Sequence, residues 1–555
     1  MFSKTIDKIT RDIGLNLSQL STLLLSISII LWSISIYFSK VEIGEYGLIA
    51  GLNPLFFVSI GLLTISFFIT IKYNSENKKL LILHLIPIVL FMALIPALIE
   101  GTPRFFYNFE TTQNVDTVLQ NAHSNAAVYN YQSWPGVFYY DAIVNLISNI
   151  SPFDSILIIP TLFVILVQLP FSYLIYSTFL NKKETWAALL LTSVLFFGSP
   201  IYLLPGVIGG IMVNFALLIF FRSVLIDSKD SWNLRVIFII FCAAAVVSHF
   251  LSVIYFLITL FFVSMLLLLY KGHMDKRFIL IFVLLATWQV YIAGSYAMDQ
   301  ITGSVHTAFN LESTLSATKN AAFSGSQPHT QIIYIKIISI FLLSLLAFLG
   351  LIYEFLWKRK FTLKNLILPT WIAANFSMTF LTSYGGEVLS RTFATSSTTL
   401  YILGAKIINN NKLSLILLII LLISPPLSII NAYGNEAIDY VSPVEIAGAN
   451  FLFDHHAPNS VVKSLRSRIW NIHSFNDFEN WGFDPQNMTV EKLTPINERG
   501  VRDQFYILIG KMDMDTYTYI NGPTDYPYLN VIDNSPQHNK IYDSPGFTLY
   551  QIGGI

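Results

Sequence analysis

The chain has 555 residues with 33 basic and 33 acidic side chains, so its formal net charge is zero. Only 12% of residues are charged and 54% are hydrophobic, whereas charged residues make up roughly 25% of a typical soluble protein. A soluble domain could not bury that much apolar surface, so the composition predicts a polytopic membrane protein and excludes disorder and a basic nucleic-acid binder. The single cysteine, Cys242, excludes an internal disulfide and a thiolate metal cluster.

Thirteen segments are predicted to span the membrane, because a spanning helix needs roughly 20 mostly apolar residues. They are Leu15–Phe38, Leu55–Ile71, Leu80–Ile99, Ile156–Leu180, Thr185–Leu203, Pro205–Phe221, Val236–Phe250, Leu251–Tyr270, Phe278–Ala297, Ile332–Trp357, Leu366–Leu381, Phe393–Ile408 and Leu413–Tyr433. No cleavage-like site follows the first segment, so we expect it to be retained. The seventh and eighth form one continuous apolar stretch that is too long for one helix and short for two.

Basic residues predict the orientation of these helices, because short cytoplasmic loops are enriched in lysine and arginine. With the N-terminus in the cytoplasm, 20 of the 33 basic residues fall on the inner side and 5 on the outer side, the other 8 being in the C-terminal tail. The prediction is a multi-pass cell-membrane protein with an extracytoplasmic C-terminal domain. The outer segments are then 100–155, 298–331 and the tail from residue 434.

The chain divides by composition into a transmembrane domain, 1–433, and a polar tail, 434–555. The tail opens with Ser442-Pro443-Val444-Glu445, a capping box with proline at the first helical position. Strand-like runs follow at Ser460–Leu465, Phe505–Ile509 and Thr548–Ile552, and Asp543-Ser544-Pro545-Gly546 predicts a hairpin turn before the last run. The tail is therefore predicted to be a small outer α/β domain.

The first outer segment, 100–155, contains candidate catalytic or metal-binding residues. A helix capped by Asn114 would place Asp116, Gln120 and His123 on one stripe, where a carboxylate and an imidazole can act as a base or as metal ligands. An aspartate in a first helical turn also simply complements the helix dipole, so both interpretations stay open. The aromatic stretch around Tyr131 and a second amphipathic run from Asp141 follow, as in a loop lying along the membrane surface.

Two further candidates are predicted on the outer face. His249 lies between the seventh and eighth apolar segments, where an ionisable group is either a satisfied structural residue or a functional one. Arg391 precedes a late helix, at the dipole end that disfavours a cation. Either Glu387 compensates as an i,i+4 partner, or an anionic ligand such as a lipid-linked phosphate does.

Several common signatures are absent from the sequence. It contains no GxxxxGK[ST], no GxGxxG after a strand, no HExxH and no GxSxG. The sequence therefore lacks the usual motifs of nucleotide hydrolases, dinucleotide-dependent redox enzymes, zinc proteases and serine hydrolases. The predicted spans contain almost no mid-helix carboxylates, which weakens an ion-coupled transporter without excluding it. Prolines such as Pro170 could still interrupt helices at a binding site.

The layout resembles the class C (GT-C) membrane glycosyltransferases, in particular archaeal members related to the mannosyl- and oligosaccharyltransferases. Three features carry the resemblance: Asp116 followed by Tyr131 and Trp134-Pro135-Gly136, the histidine in Ser248-His249-Phe250, and Arg391 before a late helix and a polar tail. Here the acidic loop follows the third predicted helix, where the family usually has it after the first. The Trp-Trp-Asp run of true oligosaccharyltransferases is absent, so that activity is not predicted.

The resemblance implies transfer of a sugar from a polyprenyl-phosphate donor to a glycan, lipid or protein acceptor on the outer face. It implies Asp116 as general base, or as ligand of a divalent metal such as Mg²⁺ or Mn²⁺ together with Glu110, and Arg391 as the donor-phosphate ligand. His123, His249, Glu387 and Tyr131 would be secondary polar contacts. The sequence leaves the sugar, the acceptor and the metal requirement open.

Other interpretations predict different outcomes for the same residues. A lipid-linked polysaccharide ligase or polymerase would depend on arginine and histidine without an essential carboxylate. A transporter would need polar groups along a path through the membrane, and a non-catalytic scaffold would work through its tail alone.

Overall fold

The structure is a computed structural model and describes residues 15–41, 46–103, 106–124, 130–195, 204–225, 232–294, 311–323, 326–382, 387–435, 439–456, 461–463, 505–521, 532–534 and 538–552. The α-helices of the first half are α1 Leu17–Phe38, α2 Leu55–Tyr73, α3 Lys78–Ala93, α4 Ile95–Ile99, α5 Phe106–Asn121, α6 Gly136–Ser148, α7 Pro152–Phe163, α8 Leu169–Phe179, α9 Lys182–Val194 and α10 Pro205–Leu225.

The remaining helices and the strands follow in chain order. They are α11 Trp232–Ser248, α12 Phe250–Lys271, α13 Arg277–Tyr291, α14 Leu311–Phe323, α15 Gln327–Ile352, α16 Leu363–Ser377, α17 Val388–Ala405, α18 Leu413–Tyr433, α19 Pro443–His455 and α20 Lys511–Asn521, with strands β1 Val461–Lys463, β2 Phe505–Gly510, β3 His538–Ser544 and β4 Phe547–Ile552. Two π-helical turns, Val164–Gln168 and Tyr353–Trp357, lie within or at the end of long helices.

Seven helices in the described part of the chain are long and apolar enough to cross a membrane. They are Leu17–Phe38, Leu55–Tyr73, Pro152–Phe179, Pro205–Leu225, Phe250–Lys271, Gln327–Trp357 and Leu413–Tyr433. Two shorter apolar helices, α11 and α13, accompany them. The predicted polytopic membrane class, with a small C-terminal α/β region, is therefore confirmed.

The predicted count of thirteen spanning helices is not confirmed. The segment predicted at Leu80–Ile99 divides into α3 and α4, and the one at Leu366–Leu381 ends as an α-helix at Ser377. Helix α9 has 13 residues, about 20 Å at 1.5 Å per residue, and nearly all of them are buried. Such short helices can lie inside the bundle because neighbouring helices cover them. The uncertain apolar stretch does form two helices, which meet at His249.

Helices α15 and α17 run parallel, because Lys336 and Arg391 near their beginnings line the same cavity and Gly350 and Leu403 near their ends are in contact. A methyl group on Gly350 of α15 would collide with the backbone carbonyl of Leu403 on α17, so the two helices are in backbone contact there. Lys336 lies 14 residues before Gly350, and Arg391 lies 12 residues before Leu403. At about 1.5 Å per residue, the two cations therefore lie at nearly the same height.

The other end of these helices is closed by buried charges. Lys406, directly after α17, donates a hydrogen bond to Asn365 Oδ1 at 2.8 Å and lies 3.6 Å from the Glu354 carboxylate. Lys358 pairs with the same carboxylate at 2.7 Å. We call this the far end of the bundle, and the end that carries α5, α6 and the C-terminal strands the domain end.

The C-terminal strands form one sheet in the order β1-β2-β4-β3, in which β1 is parallel to β2 and the other pairs are antiparallel. The three predicted strands and the final hairpin are confirmed. The predicted capping box is also present, with Ser442 and Glu445 bonded reciprocally. Phe109 of α5 packs into the core between this sheet and α19, so the strands are joined to the bundle through the first outer segment.

We expect the substitution Gly350→Ala to destabilise the protein by about 1–3 kcal/mol, because a well-packed interface must shift to admit the methyl group. Thermal unfolding of the purified protein in detergent measures this. Gly61→Ala is the matched control, since a methyl there meets nothing within 4 Å. Equal melting temperatures for the Gly350→Ala and Gly61→Ala variants would show that the contact between α15 and α17 is not tight.

The buried Glu445 predicts a pH dependence of the C-terminal sheet. Its Oε1 accepts a hydrogen bond from the Met512 amide at 3.1 Å, yet burial, with the Asp513 charge as a smaller contribution, raises the pKa of Glu445 from 4.5 to about 7. The folded state therefore binds the proton more tightly than the unfolded chain. Stability should be highest below pH 4.5 as far as this group is concerned, and should fall as the pH rises to about 7.

Glu445→Gln should remove that slope while keeping a side chain that suits the capping box. Hydrogen–deuterium exchange of β2, corrected for the intrinsic pH effect on exchange, measures it between pH 5 and pH 8. The exposed Glu312→Gln is the control. An unchanged slope in Glu445→Gln would assign the pH dependence to another group.

Candidate functional site

A cavity of about 1060 Å³ lies inside the bundle. Helices from both halves of the chain line it, namely α5, α6, α8, α9, α10, α12, α15, α16, α17 and α18. Four of the candidates from the sequence, Arg391, His249, Glu387 and Tyr131, are among its lining residues, and so is Glu110. The fold therefore brings together side chains that are up to 281 positions apart in the sequence.

Arg391 lies in the first turn of α17 and forms an ion pair with Glu387. The Glu387 carboxylate accepts a hydrogen bond from Arg391 Nη2 at 2.9 Å. The two side chains are 43% and 56% exposed, so this pair contributes little stability by itself. The compensating partner considered from the sequence is thus present. The third guanidinium nitrogen, Nη1, lies on the other side of the group, toward Gly206 of α10.

His249 meets Arg391 across Gly206. A methyl group on Gly206 would lie 3.5 Å from His249 Nε2 and 3.6 Å from Arg391 Nη1, so the two nitrogens flank the same point of the cavity wall. Gly209, one turn further along α10, lies so close to His249 that a methyl there would come within 2.6 Å of its Cβ. The two glycines let α10 approach the break between α11 and α12, where the histidine lies.

The capping role of His249 fixes its tautomer. It caps α12, and its Nδ1 accepts a hydrogen bond from the Ser252 amide at 3.2 Å. An Nδ1 that accepts carries no proton, so the proton of the neutral ring is on Nε2. The ring is therefore both a structural cap and a hydrogen-bond donor directed at the side of the cavity where Arg391 lies.

Lys336 of α15 is a second cation on the cavity wall, at nearly the height of Arg391. The carboxylate of Asp439, which also lines the cavity, interacts electrostatically with the Lys336 ammonium. Within the described part of the chain, the Lys336 ammonium donates no hydrogen bond and has no carboxylate within ion-pair distance. In the sequence, Lys336 was one of the five basic residues assigned to the outer side and was not a candidate for the site. Its place in an otherwise apolar helix was the signal that could have marked it.

The first outer segment contributes a different carboxylate from the one predicted. Helix α5 begins at Phe106, so the predicted start at Asn114 is wrong and Glu110 lies inside the helix. Glu110 is buried and lines the cavity. Asp116 lies six residues further, about 240° around the helix axis, is partly exposed and accepts a hydrogen bond from Gln120 at 3.3 Å. Asp116 is not among the cavity-lining residues.

The remaining candidates are placed as follows. His123 is exposed beyond the end of α5, with its Nδ1 2.8 Å from the Asn121 carbonyl, and it is not among the cavity-lining residues. Tyr131 lines the cavity from a 3₁₀ turn. Trp134, in the same stretch, is buried against Phe250, and Gly136 fits closely against Ser248. The segment after α5 is thus packed onto the two neighbours of His249.

The acidic residues considered as metal ligands lie apart in the structure. Among the residues described, no group of three or more His, Cys, Asp and Glu side chains could hold a metal ion. Glu110 and Asp116, the candidate ligands if the protein holds a metal, point in directions about 120° apart around the axis of α5. These two side chains do not form a common site.

Comparison with known proteins gives a structural likeness only. No protein-family model matches the sequence, and no curated protein matches it. The crystal structure of ArnT from Cupriavidus metallidurans bound to undecaprenyl phosphate is similar over 85% of this chain and 97% of that one, with a TM-score of 0.51 and 9% sequence identity. The apo form of the same protein aligns over 86% and 98%, with a TM-score of 0.47 and 8% identity.

At 9% identity the likeness concerns the fold. The chain has an ArnT-like polytopic membrane fold, in agreement with the GT-C-like layout predicted from its sequence. The archaeal subtype stays a prediction.

Proposed function

We propose that this protein is a membrane glycosyltransferase that moves a sugar from a polyprenyl-phosphate donor to an acceptor. The observation that carries the proposal is the pair of cations, Arg391 and Lys336, at one height on the wall of one large cavity. Ionisable groups in membrane helices are functional candidates by default, and their natural partner here is an anionic group of the ligand. A phosphate between them would receive the planar guanidinium, the ammonium and the His249 Nε2–H.

The structural neighbour supports a polyprenyl phosphate as the anionic ligand. ArnT, whose fold this chain shares, was crystallised with undecaprenyl phosphate. A lipid phosphate also suits the location, because the cavity lies among helices that are long and apolar enough to span a membrane. The lipid part of such a donor can stay in the bilayer while its phosphate reaches the cations.

The reaction is a displacement at the anomeric carbon of the sugar. An acceptor hydroxyl oxygen forms a bond to that carbon, the bond from the carbon to the phosphate oxygen breaks, and its electron pair leaves with the polyprenyl phosphate. The acceptor proton passes to a general base. The leaving phosphate gains negative charge, and Arg391, Lys336 and the His249 Nε2–H stabilise that charge where it develops.

Glu110 is the carboxylate best placed to take the acceptor proton. It is buried, it lines the cavity, and it belongs to α5 at the domain end, where an acceptor would enter. Asp116 is the alternative from the sequence resemblance, and would need α5 to turn or an acceptor that approaches from the other side of that helix. Tyr131 and Glu387 complete the polar rim of the cavity.

The domain end is proposed to face the outside of the cell. The 20 basic residues assigned to inner loops include Lys358 and Lys406, both at the far end of the bundle. The positive-inside rule then places the far end in the cytoplasm. The acceptor, whether glycan, lipid or protein, would therefore be glycosylated on the extracytoplasmic face.

Arg391→Ala should weaken the binding of undecaprenyl phosphate about 10- to 100-fold, because hydrogen bonds to charged groups contribute roughly 1.5–3 kcal/mol each. Arg391→Lys should recover only part of the loss, since lysine cannot form the planar bidentate contact. Native mass spectrometry of the protein titrated with this lipid measures the affinity. Arg222→Ala, a change at the far end of α10, is the control, and wild-type affinity in Arg391→Ala would overturn the assignment.

Glu110→Gln should slow sugar transfer by about 10²–10⁴-fold, the usual contribution of a general base, while leaving undecaprenyl-phosphate affinity unchanged. The donor should then accumulate on the purified variant, which mass spectrometry detects without knowledge of the acceptor. Asp116→Asn is the matched variant on the same helix and should change little. The reverse order of effects would restore Asp116 as the base, and no effect in either would favour a ligase or polymerase without an essential carboxylate.

A further inference from the structure

The acidic and basic residues of the cavity wall, including the neutral His249, are confined to its domain end. Those that line it within the described ranges are Glu110, His249, Lys336, Glu387, Arg391 and Asp439. Below this level the described lining is uncharged, but it is not simply apolar. Along α17 it continues through Thr395 and Thr398 to Tyr401, ten residues and about 15 Å below Arg391.

Two amides, Gln168 and Asn214, lie in one layer of this neutral wall. Asn214 lies eight residues below Gly206 on α10, about 12 Å below the Arg391–His249 contact. Gln168 approaches from the neighbouring helix, since Phe171, one turn after it, packs against Phe215 of α10. The backbone of this layer therefore lies about 12 Å below the proposed phosphate position, in the direction in which a sugar attached to that phosphate would extend.

The backbone at Gln168 is unusual. It is the last residue of the π-helical turn Val164–Gln168, which is closed by a hydrogen bond from the Leu169 amide to the Val164 carbonyl. Pro170 follows and cannot donate to the carbonyl of Leu166 four residues before it, which accounts for the local widening. Single π-turns inside α-helices occur frequently at functional sites. Here the turn places an amide in a helix that is otherwise strongly apolar.

The carbonyl oxygen of the Gln168 side chain is available to a ligand. This Oε1 is buried and has no hydrogen-bond partner among the residues that the structure describes. An unpaired buried acceptor costs roughly 1–3 kcal/mol. Rotation of the terminal amide presents either its carbonyl or its NH₂ to the cavity, so the side chain can serve both as donor and as acceptor.

The floor of the cavity differs from this layer, because its polar groups bond to one another. Tyr176, eight residues and about 12 Å below Gln168, shares a hydrogen bond of 2.6 Å with Thr192. Thr259 and Asn375, at about the height of Asn214, are also bonded to each other, with Thr259 donating to Asn375 Oδ1 at 3.1 Å. Trp371 is also buried and adds an aromatic face to the cavity wall. The layer with spare hydrogen-bonding capacity therefore lies between the cations and a closed floor.

We infer that the layer formed by Gln168 and Asn214 binds the sugar of the donor and selects an uncharged, hydroxyl-bearing sugar. This inference rests on the proposed function. Sugar hydroxyls both donate and accept, which matches two amides. A hydrocarbon chain in this layer would leave the amides unpaired, and an amino sugar or a uronic acid would bring a charge into a wall that has no counter-charge at that level.

The test compares polyprenyl phosphate alone with polyprenyl-phosphate glucose and mannose, and with polyprenyl phosphates bearing an aminoarabinose or a glucuronic acid, all titrated onto the full-length protein. At least one neutral sugar should tighten binding about tenfold or more over polyprenyl phosphate alone. The charged sugars should give no gain. Gln168→Leu should lose the gain while binding polyprenyl phosphate as the wild type does.

Gln289→Leu is the matched control. Gln289 is a buried amide in α13 whose Oε1 and Nε2 both have no partner among the described residues, but it does not line the cavity. This variant should keep the wild-type preference. Gln168→Glu should shift the preference toward the cationic amino sugar, because it adds the missing counter-charge.

The outcomes separate the two proposals. If polyprenyl phosphate itself does not bind, the proposed function fails. If it binds but neutral sugars add nothing, if charged sugars are preferred by the wild type, or if Gln168→Leu keeps the gain, then the sugar site is wrong and the phosphate site stands.

Discussion

The backbone contact between α15 and α17 at Gly350 and Leu403 is the constraint on which the site depends. It fixes the axial register of two parallel helices, and the register places Lys336 and Arg391 at one height. The buried carboxylate of Glu354, next to Lys406, holds the same two helices at their far end. Buried ion pairs are weak evidence for stability, because desolvation offsets their attraction. In this protein the role of the ion pair is to fix which residues of α15 lie opposite which residues of α17.

The distribution of charge along the cavity follows from the cost of charges away from water. At both ends of the bundle the cations have carboxylates nearby, as in Arg391 with Glu387 and Lys358 with Glu354. Between the ends, hydroxyls and amides replace them. This arrangement gives a ligand with a charged and an uncharged part a single favourable direction of entry. The order of chemical groups along the cavity thereby sets the orientation of the ligand before any individual contact is considered.

The sequence predicted what depends on local chemistry or on a charge in an apolar segment. Ser442 and Glu445 are three residues apart, so their capping box was visible, and His249 and Arg391 stood out against their surroundings. The choice of Asp116 depended on where its helix begins. Starting α5 at Phe106 instead of Asn114 brings Glu110 into the helix, and the helical period then turns Glu110 and Asp116 to different sides.

Other features required the tertiary structure. The shortness of α9 could not be foreseen from hydropathy, because neighbouring helices decide whether a 13-residue helix can be buried. Lys336 could be recognised as part of the site only from the axial register of α15 and α17, which places it near the height of Arg391. The sequence did not single out Gln168 as a site residue, because one glutamine in an apolar helix belongs to no recognisable motif. Pro170, two residues later, did indicate an interrupted helix.

The π-turn at Val164–Gln168 amounts to one additional residue in a helix that otherwise continues from Pro152 to Phe179. Each residue of an α-helix turns the chain by about 100°. Removing one residue from this turn would restore the regular ladder and rotate everything after it, or everything before it, by that angle. The half that packs on α5 and α6 and the half that lines the cavity could then no longer both face their partners. The length of this segment is thus as much a determinant of the cavity wall as the identity of its side chains.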